Sequence, residues 1–160
     1  MKVLFLCSAN QCRSPLAESV LRSKLIERGL TDVAVDSAGI FHYEDMPRDY
    51  TMVSYARKAG YEMGGFSRYI TKDAIDSSDL IICMEFFQVV EVQRRFVPYV
   101  RWGCIHTFNE ICFDEQTDVM DPTGDSGFMY SEILKHIETG CCTLSWKIER
   151  KIRYGEDLFK

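Results

Sequence analysis

The stretch "KVLFLCSANQCRSPLAES" (residues 2–19) decides the fold, because a short apolar run leads through a polar loop into a helical pattern. Residues 3–7 are continuously apolar, which is typical of a strand buried on both faces of a parallel sheet. Ser14 suits the N-cap of a helix and Pro15 its first position. Apolar residues at helical spacing extend this helix: Leu16, Val20, Leu21, Leu25 and Ile26. Gly29 ends it.

The same alternation of strand and helix patterns continues along the chain. Three further strands are predicted over 33–35, 79–84 and 104–108. Helices are predicted over 51–59, 72–76, 89–96 and from 129 onward, the last one loosened near Gly140. Residues 39–49 and 109–125 are interpreted as loops, the second of them acidic. The sequence therefore predicts one α/β domain over residues 1–160, with a four-stranded parallel sheet flanked by helices on both faces.

Composition narrows the classes of partner and compartment. The 160 residues are 46% hydrophobic and carry a formal net charge of −5, which disfavours nucleic acid and anionic membranes as partners. The seven cysteines are odd in number and form no CxxC pair, which favours a reducing compartment. Neither a signal-peptide pattern nor an apolar run of membrane-spanning length is present, so we expect a cytoplasmic protein. The three scattered histidines give little support to a metal site.

The first loop combines three features that bind an anion. Backbone N–H groups in a tight turn between a strand and a helix form an anion-binding concavity at the helix N-terminus. Arg13 adds a planar cation suited to two phosphate oxygens. These positive groups also stabilise a thiolate, so Cys7 is predicted to be a nucleophile at neutral pH. A lone cysteine or arginine here is ordinary, but the complete Cys-x5-Arg-Ser-Pro string is specific.

Four motifs together resemble one known family. They are "CSANQCRSP" (7–15), "DSAG" (36–39), "DLIICME" (79–85) and "DVMDPTGD" (118–125). Their order and spacing resemble those of the low-molecular-weight protein-tyrosine phosphatases. The resemblance implies a four-stranded parallel sheet flanked by helices, in agreement with the pattern above. It also implies phosphorylated proteins as substrates, inorganic phosphate as product or inhibitor, and no cofactor or metal.

The resemblance assigns catalytic roles to four residues. Cys7 matches the nucleophile that becomes a phosphocysteine, and Arg13 matches the residue that binds the phosphoryl oxygens. Asp121 matches the general acid that protonates the leaving oxygen and later acts as a base toward water. Ser14 matches the hydroxyl that hydrogen-bonds the thiolate. An Asp-Pro turn within a solvated acidic loop is the alternative interpretation of Asp121, and no EF-hand spacing supports calcium there.

Further residues of the loop are implied to bind or support the phosphate. Asn10 matches the residue that holds the strained loop, with Ser37 supporting it. The remaining members of the loop are Ser8, Ala9, Gln11 and Cys12. Cys12 matches a redox partner that could form a reversible disulfide with Cys7 and protect it from over-oxidation.

The sequence departs from the family pattern at four positions. Ala9 stands where glycine is frequent, and Gly65 stands near the position of a histidine that often supports the Asn10 network. Thr123 follows the Asp-Pro pair where tyrosines often wall the substrate slot. Gln11 replaces an apolar residue of the slot, and relatives that act on phosphoarginine carry a small polar residue there. Those relatives also share a stretch like "SAGIF" (37–41).

The substrate slot is accordingly predicted from four residues: Gln11, Phe41, Tyr43 and Thr123. Hydrolysis of phosphotyrosine is the first hypothesis, and hydrolysis of protein phosphoarginine by the same machinery is the alternative. A thioredoxin-linked arsenate reductase needs two resolving cysteines near the third strand, where only Cys83 is found. A non-catalytic phosphate-binding module predicts the loss of a catalytic residue, yet all of them are present.

Overall fold

The structure is a computed structural model that describes residues 1–101 and 103–159. Its elements in chain order are β1 (Lys2–Cys7), α1 (Arg13–Glu27), β2 (Ala34–Gly39), α2 (Tyr50–Lys58), α3 (Lys72–Asp76), β3 (Leu80–Cys83), α4 (Phe86–Phe96), β4 (Ile105–Thr107), α5 (Phe108–Phe113) and α6 (Gly127–Tyr154). Within these described residues, no helix is both long and apolar enough to span a membrane. The domain bounds 1–160 stay a prediction, since Trp102 and Lys160 lie outside the described residues.

The four strands form one parallel sheet in the order β2-β1-β3-β4. Side chains alternate across β1. Val3 and Phe5 pack into the core formed with α1, α2, α5 and α6, whereas Leu4 and Leu6 pack into the core formed with α3 and α4. Burial on both faces explains why β1 is continuously apolar. The predicted fold class, a four-stranded parallel sheet with helices on both faces, is confirmed.

The start of α1 differs from the sequence prediction. The helix begins at Arg13 with Cys12 as its N-cap, and Leu16 N donates to Cys12 O at 3.2 Å. Ser14 and Pro15 therefore lie inside the first turn, and the prediction of Ser14 as N-cap was wrong. The Ser14 hydroxyl is engaged by the preceding loop instead of capping the helix. β2 also extends beyond the predicted 33–35 and includes Ser37 and Gly39.

The prediction of a loop over 109–125 was wrong for residues 109–113 and right for residues 114–125, and the predicted loosening of the helix near Gly140 was wrong. Residues 108–113 form α5, which begins with a capping box between Thr107 and Glu110. α6 runs unbroken through Gly140. A Cβ at Gly140 would lie 2.5 Å from the ring of Phe108, so this glycine permits α5 and α6 to pack closely. A tertiary contact, and not a helix end, accounts for the glycine.

Candidate active site

The loop that follows β1 places two donors on the sulfur of Cys7. The Cys7 side chain is buried, and its Sγ lies 2.9 Å from Ser14 Oγ. The backbone N–H of Asn10 donates to the same sulfur at 3.3 Å. When Cys7 is a thiolate, Ser14 must be the donor of the first bond, because a thiolate has no proton. Both contacts then stabilise the negative sulfur.

Asn10 organises the buried side of this loop. It adopts a left-handed φ of 56° and is fully buried, a conformation that needs support from its surroundings. Its Nδ2 donates to Ser14 Oγ at 3.0 Å and to Ser37 Oγ at 2.9 Å. Its Oδ1 accepts from Arg68 N at 2.9 Å and from an Arg48 guanidinium nitrogen at 2.7 Å. All four hydrogen-bonding positions of the Asn10 amide are thus occupied.

Gly39 lets the loop approach β2. A Cβ at this position would lie 2.9 Å from the carbonyl carbon of Ala9 and 3.0 Å from Ser8 O. Such distances are shorter than any side chain tolerates, so only glycine fits here. The glycine of the "DSAG" motif therefore has a steric explanation. The serine of the same motif, Ser37, accepts a hydrogen bond from Asn10, and its hydroxyl donates to Glu18 Oε2 at 2.6 Å.

Arg13 is held under the loop by three acceptors. Only 2% of its side chain is exposed. One guanidinium nitrogen donates to Val119 O at 2.7 Å and lies 2.6 Å from Glu85 Oε1. The other donates to Asp121 Oδ2 at 2.8 Å. Burial works to lower the pKa of Arg13, but the negative charges at Cys7, Asp121 and Glu85 outweigh it and raise this pKa. The guanidinium therefore stays charged.

Asp121 lies beside Arg13 on a loop tied to the end of β3. Val119 N donates to Met84 O at 2.8 Å, which anchors the loop to the strand that neighbours β1. The other oxygen of Asp121 accepts from Thr123 N at 3.1 Å, and the side chain is about half exposed. The local turn foreseen for the Asp-Pro pair is present, and the same carboxylate reaches the arginine of the Cys7 loop. The local turn is therefore observed, and the catalytic role of Asp121 stays a prediction with which its contact to Arg13 agrees.

The four residues predicted to form the substrate slot make different contacts with the rest of the protein. Phe41 N donates to Ser8 O at 3.0 Å, and its partly exposed ring stacks on Phe87 with centroids 6.4 Å apart. Gln11 turns its side-chain amide to Pro47 O at 3.4 Å. Tyr43 is half exposed. Thr123, as described above, contacts Asp121 through its backbone.

Cys12 lies in the same loop as Cys7, and both are free thiols. Burial, followed by the negative charges at Asp49, Cys7 and Asp121, raises the pKa of the Cys12 thiol well above its usual range. Cys12 is therefore protonated at neutral pH. Its thiol is chemically distinct from that of Cys7, which accepts hydrogen bonds from two donors when ionised.

Three contributors to this site escaped the sequence reasoning. Glu85 pairs with Arg13, and the buried Gln88 donates to both Glu85 Oε1 at 3.1 Å and Ser8 Oγ at 3.3 Å. Arg48 donates a hydrogen bond to Asn10 Oδ1. Gly65, which stands near the position where the family often has a histidine, is exposed. The sequence did contain a pattern that points to Gln88, because it is the third helical residue of a capping box that begins at Glu85. No sequence pattern pointed to Arg48. Across residues 1–101 and 103–159, no three His, Cys, Asp or Glu side chains are grouped as metal ligands.

Comparisons with known proteins agree with this geometry. The family model described as low molecular weight phosphotyrosine protein phosphatase matches residues 2–154. A curated mouse protein of that name is 37% identical over 95 residues, which cover 58% of this chain and 60% of the mouse protein. The alignment thus spans less than two thirds of that relative.

Two further relatives match over nearly their whole length. The low molecular weight protein-tyrosine-phosphatase YfkJ of Bacillus subtilis is 29% identical over 155 residues, covering 94% of this chain and 97% of YfkJ. A solved structure of the YwlE arginine phosphatase, with a phosphorylated active-site serine, superposes with a TM-score of 0.90 at 25% identity. That superposition covers 96% of this chain and 99% of the other.

Proposed function

The chain belongs to the low molecular weight phosphotyrosine protein phosphatase family, and on this premise we propose that it hydrolyses phosphotyrosine in proteins through a cysteinyl-phosphate intermediate. The observation that carries the proposal is the convergence of Cys7, Arg13 and Asp121. The sulfur receives two hydrogen bonds from its own loop, and the arginine beside it bonds the carboxylate. Nucleophile, phosphate-binding cation and acid are thereby assembled at one end of the sheet.

In the first step, the Cys7 thiolate attacks phosphorus and the bond to the aryl oxygen breaks. Arg13 binds two phosphoryl oxygens, and Glu85 together with Val119 O keeps its guanidinium oriented. The leaving oxygen takes the proton of Asp121.

In the second step, water attacks the phosphocysteine and inorganic phosphate leaves. Asp121, now a carboxylate, accepts a proton from the water molecule. The sulfur–phosphorus bond breaks, and the electron pair returns to Cys7. The Ser14 hydroxyl and the Asn10 N–H donate hydrogen bonds to the departing thiolate, and this makes the sulfur a better leaving group. Each turnover consumes one water and restores both residues.

Substitution of Cys7 tests the proposal directly. The Cys7→Ser variant should lose nearly all hydrolysis of p-nitrophenyl phosphate and of a phosphotyrosine peptide, since a serine hydroxyl lacks the thiolate's nucleophilicity. Cys142→Ser is the matched control, because Cys142 is an exposed thiol on α6. Steady-state rates comparable to wild type in Cys7→Ser would exclude the mechanism.

Protein phosphoarginine is a second candidate substrate, supported by the rim of the site. Gln11 places a polar amide where an aryl ring would favour an apolar wall, and Thr123 stands in place of an aromatic residue. The overall similarity to the YwlE arginine phosphatase points the same way. In this reaction Cys7 would displace the guanidino nitrogen, which takes the Asp121 proton. A comparison of kcat/KM for phosphotyrosine and phosphoarginine peptides of matched sequence decides between the two.

Partners and compartment follow from the same proposal. Phosphorylated proteins are the partners that the proposed activity requires, and the acidic net charge disfavours nucleic acid and anionic membranes. Inorganic phosphate would act as product and as competitive inhibitor, because it occupies the same loop. We place the protein in the cytoplasm, where its free thiols stay reduced.

A further inference from the structure

Residues 47–49 lie against the loop that carries Cys7, and we name them the brace. Asp49 N donates to Gln11 O at 2.8 Å, and Gln11 Nε2 donates to Pro47 O at 3.4 Å. Arg48 donates through a single guanidinium nitrogen to both Asn10 O and Asn10 Oδ1. Four hydrogen bonds therefore join three consecutive brace residues to two consecutive residues of the loop.

The brace is itself anchored on two helices. Asp49 Oδ1 accepts from Met52 N at 2.8 Å and so caps α2. Its Oδ2 accepts from the Tyr130 hydroxyl of α6 at 2.9 Å. Burial and this bond to Asp49 raise the pKa of Tyr130 to about 12, so the tyrosine remains a donor at neutral pH. The rigid body of the domain thus holds the brace in place.

Arg48 supplies the only side-chain donor that Asn10 Oδ1 receives among the described residues. Its Nε also donates to Gly64 O at 3.2 Å, which fixes the plane of the guanidinium. Asn10 is left-handed, and its N–H and side chain contact Cys7 and Ser14. The position of Asn10 thereby controls both donors on the sulfur.

We propose that Arg48 is a positioning residue for the reaction, and that it acts by holding Asn10 in the conformation that presents the Asn10 N–H and the Ser14 hydroxyl to Cys7. Its fixed charge also favours the thiolate over the thiol. In this chain Arg48 supplies the support for Asn10 that Gly65, which has no side chain, cannot supply. This inference rests on the proposed function for its kinetic consequence but not for its effect on Cys7.

Several groups face Cys7 besides Arg48, so the test must isolate one charge. They are Arg13 of α1, Cys12 of the loop and Cys83 of β3, with Asp121 and Glu85 acting through Arg13. Arg48→Ala removes a charge and both bonds to Asn10. Arg48→Lys keeps the positive charge. Since a single guanidinium nitrogen of Arg48 donates to both Asn10 O and Asn10 Oδ1, one lysine ammonium group can replace it. Arg57→Ala removes the same charge from an exposed position on α2 and is the control.

Two measurements compare these variants with wild type. With p-nitrophenyl phosphate, Arg48→Ala should lower kcat/KM by about 10- to 100-fold, mainly through kcat. Peptide mass spectrometry should show slower alkylation of Cys7 by iodoacetamide at neutral pH, because the sulfur loses part of the hydrogen bonding that stabilises its thiolate. Arg48→Lys should recover much of both effects, and Arg57→Ala should match wild type within twofold.

A folded Arg48→Ala protein with the kinetics and alkylation rates of Arg57→Ala would overturn the inference. If Arg48→Ala does not fold, as thermal melting would show, Arg48→Met provides the same comparison, because methionine removes the charge and the donor but retains an unbranched side chain. Reduced melting temperature with unchanged Cys7 reactivity would also overturn it, since that result means a purely structural role. A wild-type protein inactive on every phosphate tested would refute the proposed function, while the alkylation rates would still decide the role of Arg48.

Discussion

The buried floor of the active site and its exposed rim are built in opposite ways. On the floor, Asn10, Ser14 and Ser37 are almost completely buried, and each side chain has a hydrogen-bond partner. On the rim, Phe41 and Tyr43 are exposed by 43% and 51%. A buried polar group that loses its partner costs about 1–3 kcal/mol, whereas an exposed side chain can change at little cost. We therefore expect substitutions in the floor to affect the chemistry and substitutions in the rim to affect the choice of substrate.

The motifs follow the same division. The residues of the floor match the family pattern, with Ala9 and the missing histidine near Gly65 as exceptions. The departures at Gln11 and Thr123 fall on residues that we propose to line the substrate slot. The comparison predicts that floor substitutions affect every substrate alike, while rim substitutions change the ratio between substrates.

Arg13→Lys is the strongest test of the floor. A lysine keeps the charge but cannot bond Glu85, Val119 O and two phosphoryl oxygens together. We expect kcat to fall by about 10²- to 10³-fold, for phosphotyrosine and phosphoarginine peptides equally. Steady-state kinetics on both substrates measure the effect. A loss confined to one substrate would contradict the assignment of Arg13 to the common phosphoryl group.

Gly39→Ala tests the close approach of the loop to β2. The added methyl would lie 2.9 Å from the Ala9 carbonyl carbon, so the loop must shift. A displacement near 1 Å at a catalytic group costs up to about 100-fold, and we expect a loss of kcat approaching that size. Gly64→Ala is the matched control, because a Cβ there meets nothing within 4 Å. Equal activity of the two variants would show that the contact does not position the loop.

The pH dependence of oxidation tests the pairing of Cys7 with Cys12. Because the pKa of Cys12 is raised, its thiolate is scarce at neutral pH, and the thiolate fraction rises as pH increases. After mild peroxide has oxidised Cys7, disulfide formation should therefore accelerate by about tenfold per pH unit. Quenched mass spectrometry follows the disulfide. A rate independent of pH, or inactivation that thiols cannot reverse, would argue against Cys12 as the resolving residue.

Phe41→Ala should have the smallest effect and the clearest dependence on substrate. Phe41 stacks on Phe87 at the rim and bonds the loop only through its backbone. We expect a few-fold rise in KM for a phosphotyrosine peptide and a smaller change for phosphoarginine, since an aryl ring gains more from stacking. Measured kcat on p-nitrophenyl phosphate should stay near wild type. A large fall in kcat would mean that the rim also supports the chemistry.

The sequence predicted much of the fold because its signals are local. The apolar run of β1, the helical spacing of α1 and the short strands each depend on neighbours along the chain. The confirmed four-stranded sheet follows from that alternation. Where local signals were ambiguous, tertiary contacts decided the outcome. Ser14 suits an N-cap but bonds Cys7 and Asn10 instead, and Gly140 is a packing site against Phe108 inside α6.

The candidate site divides along the same line. Cys7 and Arg13 could be proposed from the strand–loop–helix pattern, and Asp121 from the resemblance of its motif to the family. Glu85, Gln88 and Arg48 were not assigned roles, because no motif connects them to the Cys7 loop and they lie 72, 75 and 35 residues beyond Arg13. Their contacts exist only after the sheet brings separate loops to one end of the strands.

What the sequence determined by itself is the strand–loop–helix unit that opens the chain and the residue types that perform the chemistry. Backbone propensity and local spacing suffice for these features. What only the tertiary structure decided is how that loop is held: Glu85 and Gln88 on one side, Arg48 and Asp49 on the other. These contacts join residues that are distant along the chain, so they exist only in the folded chain and cannot be assigned to any one segment of it.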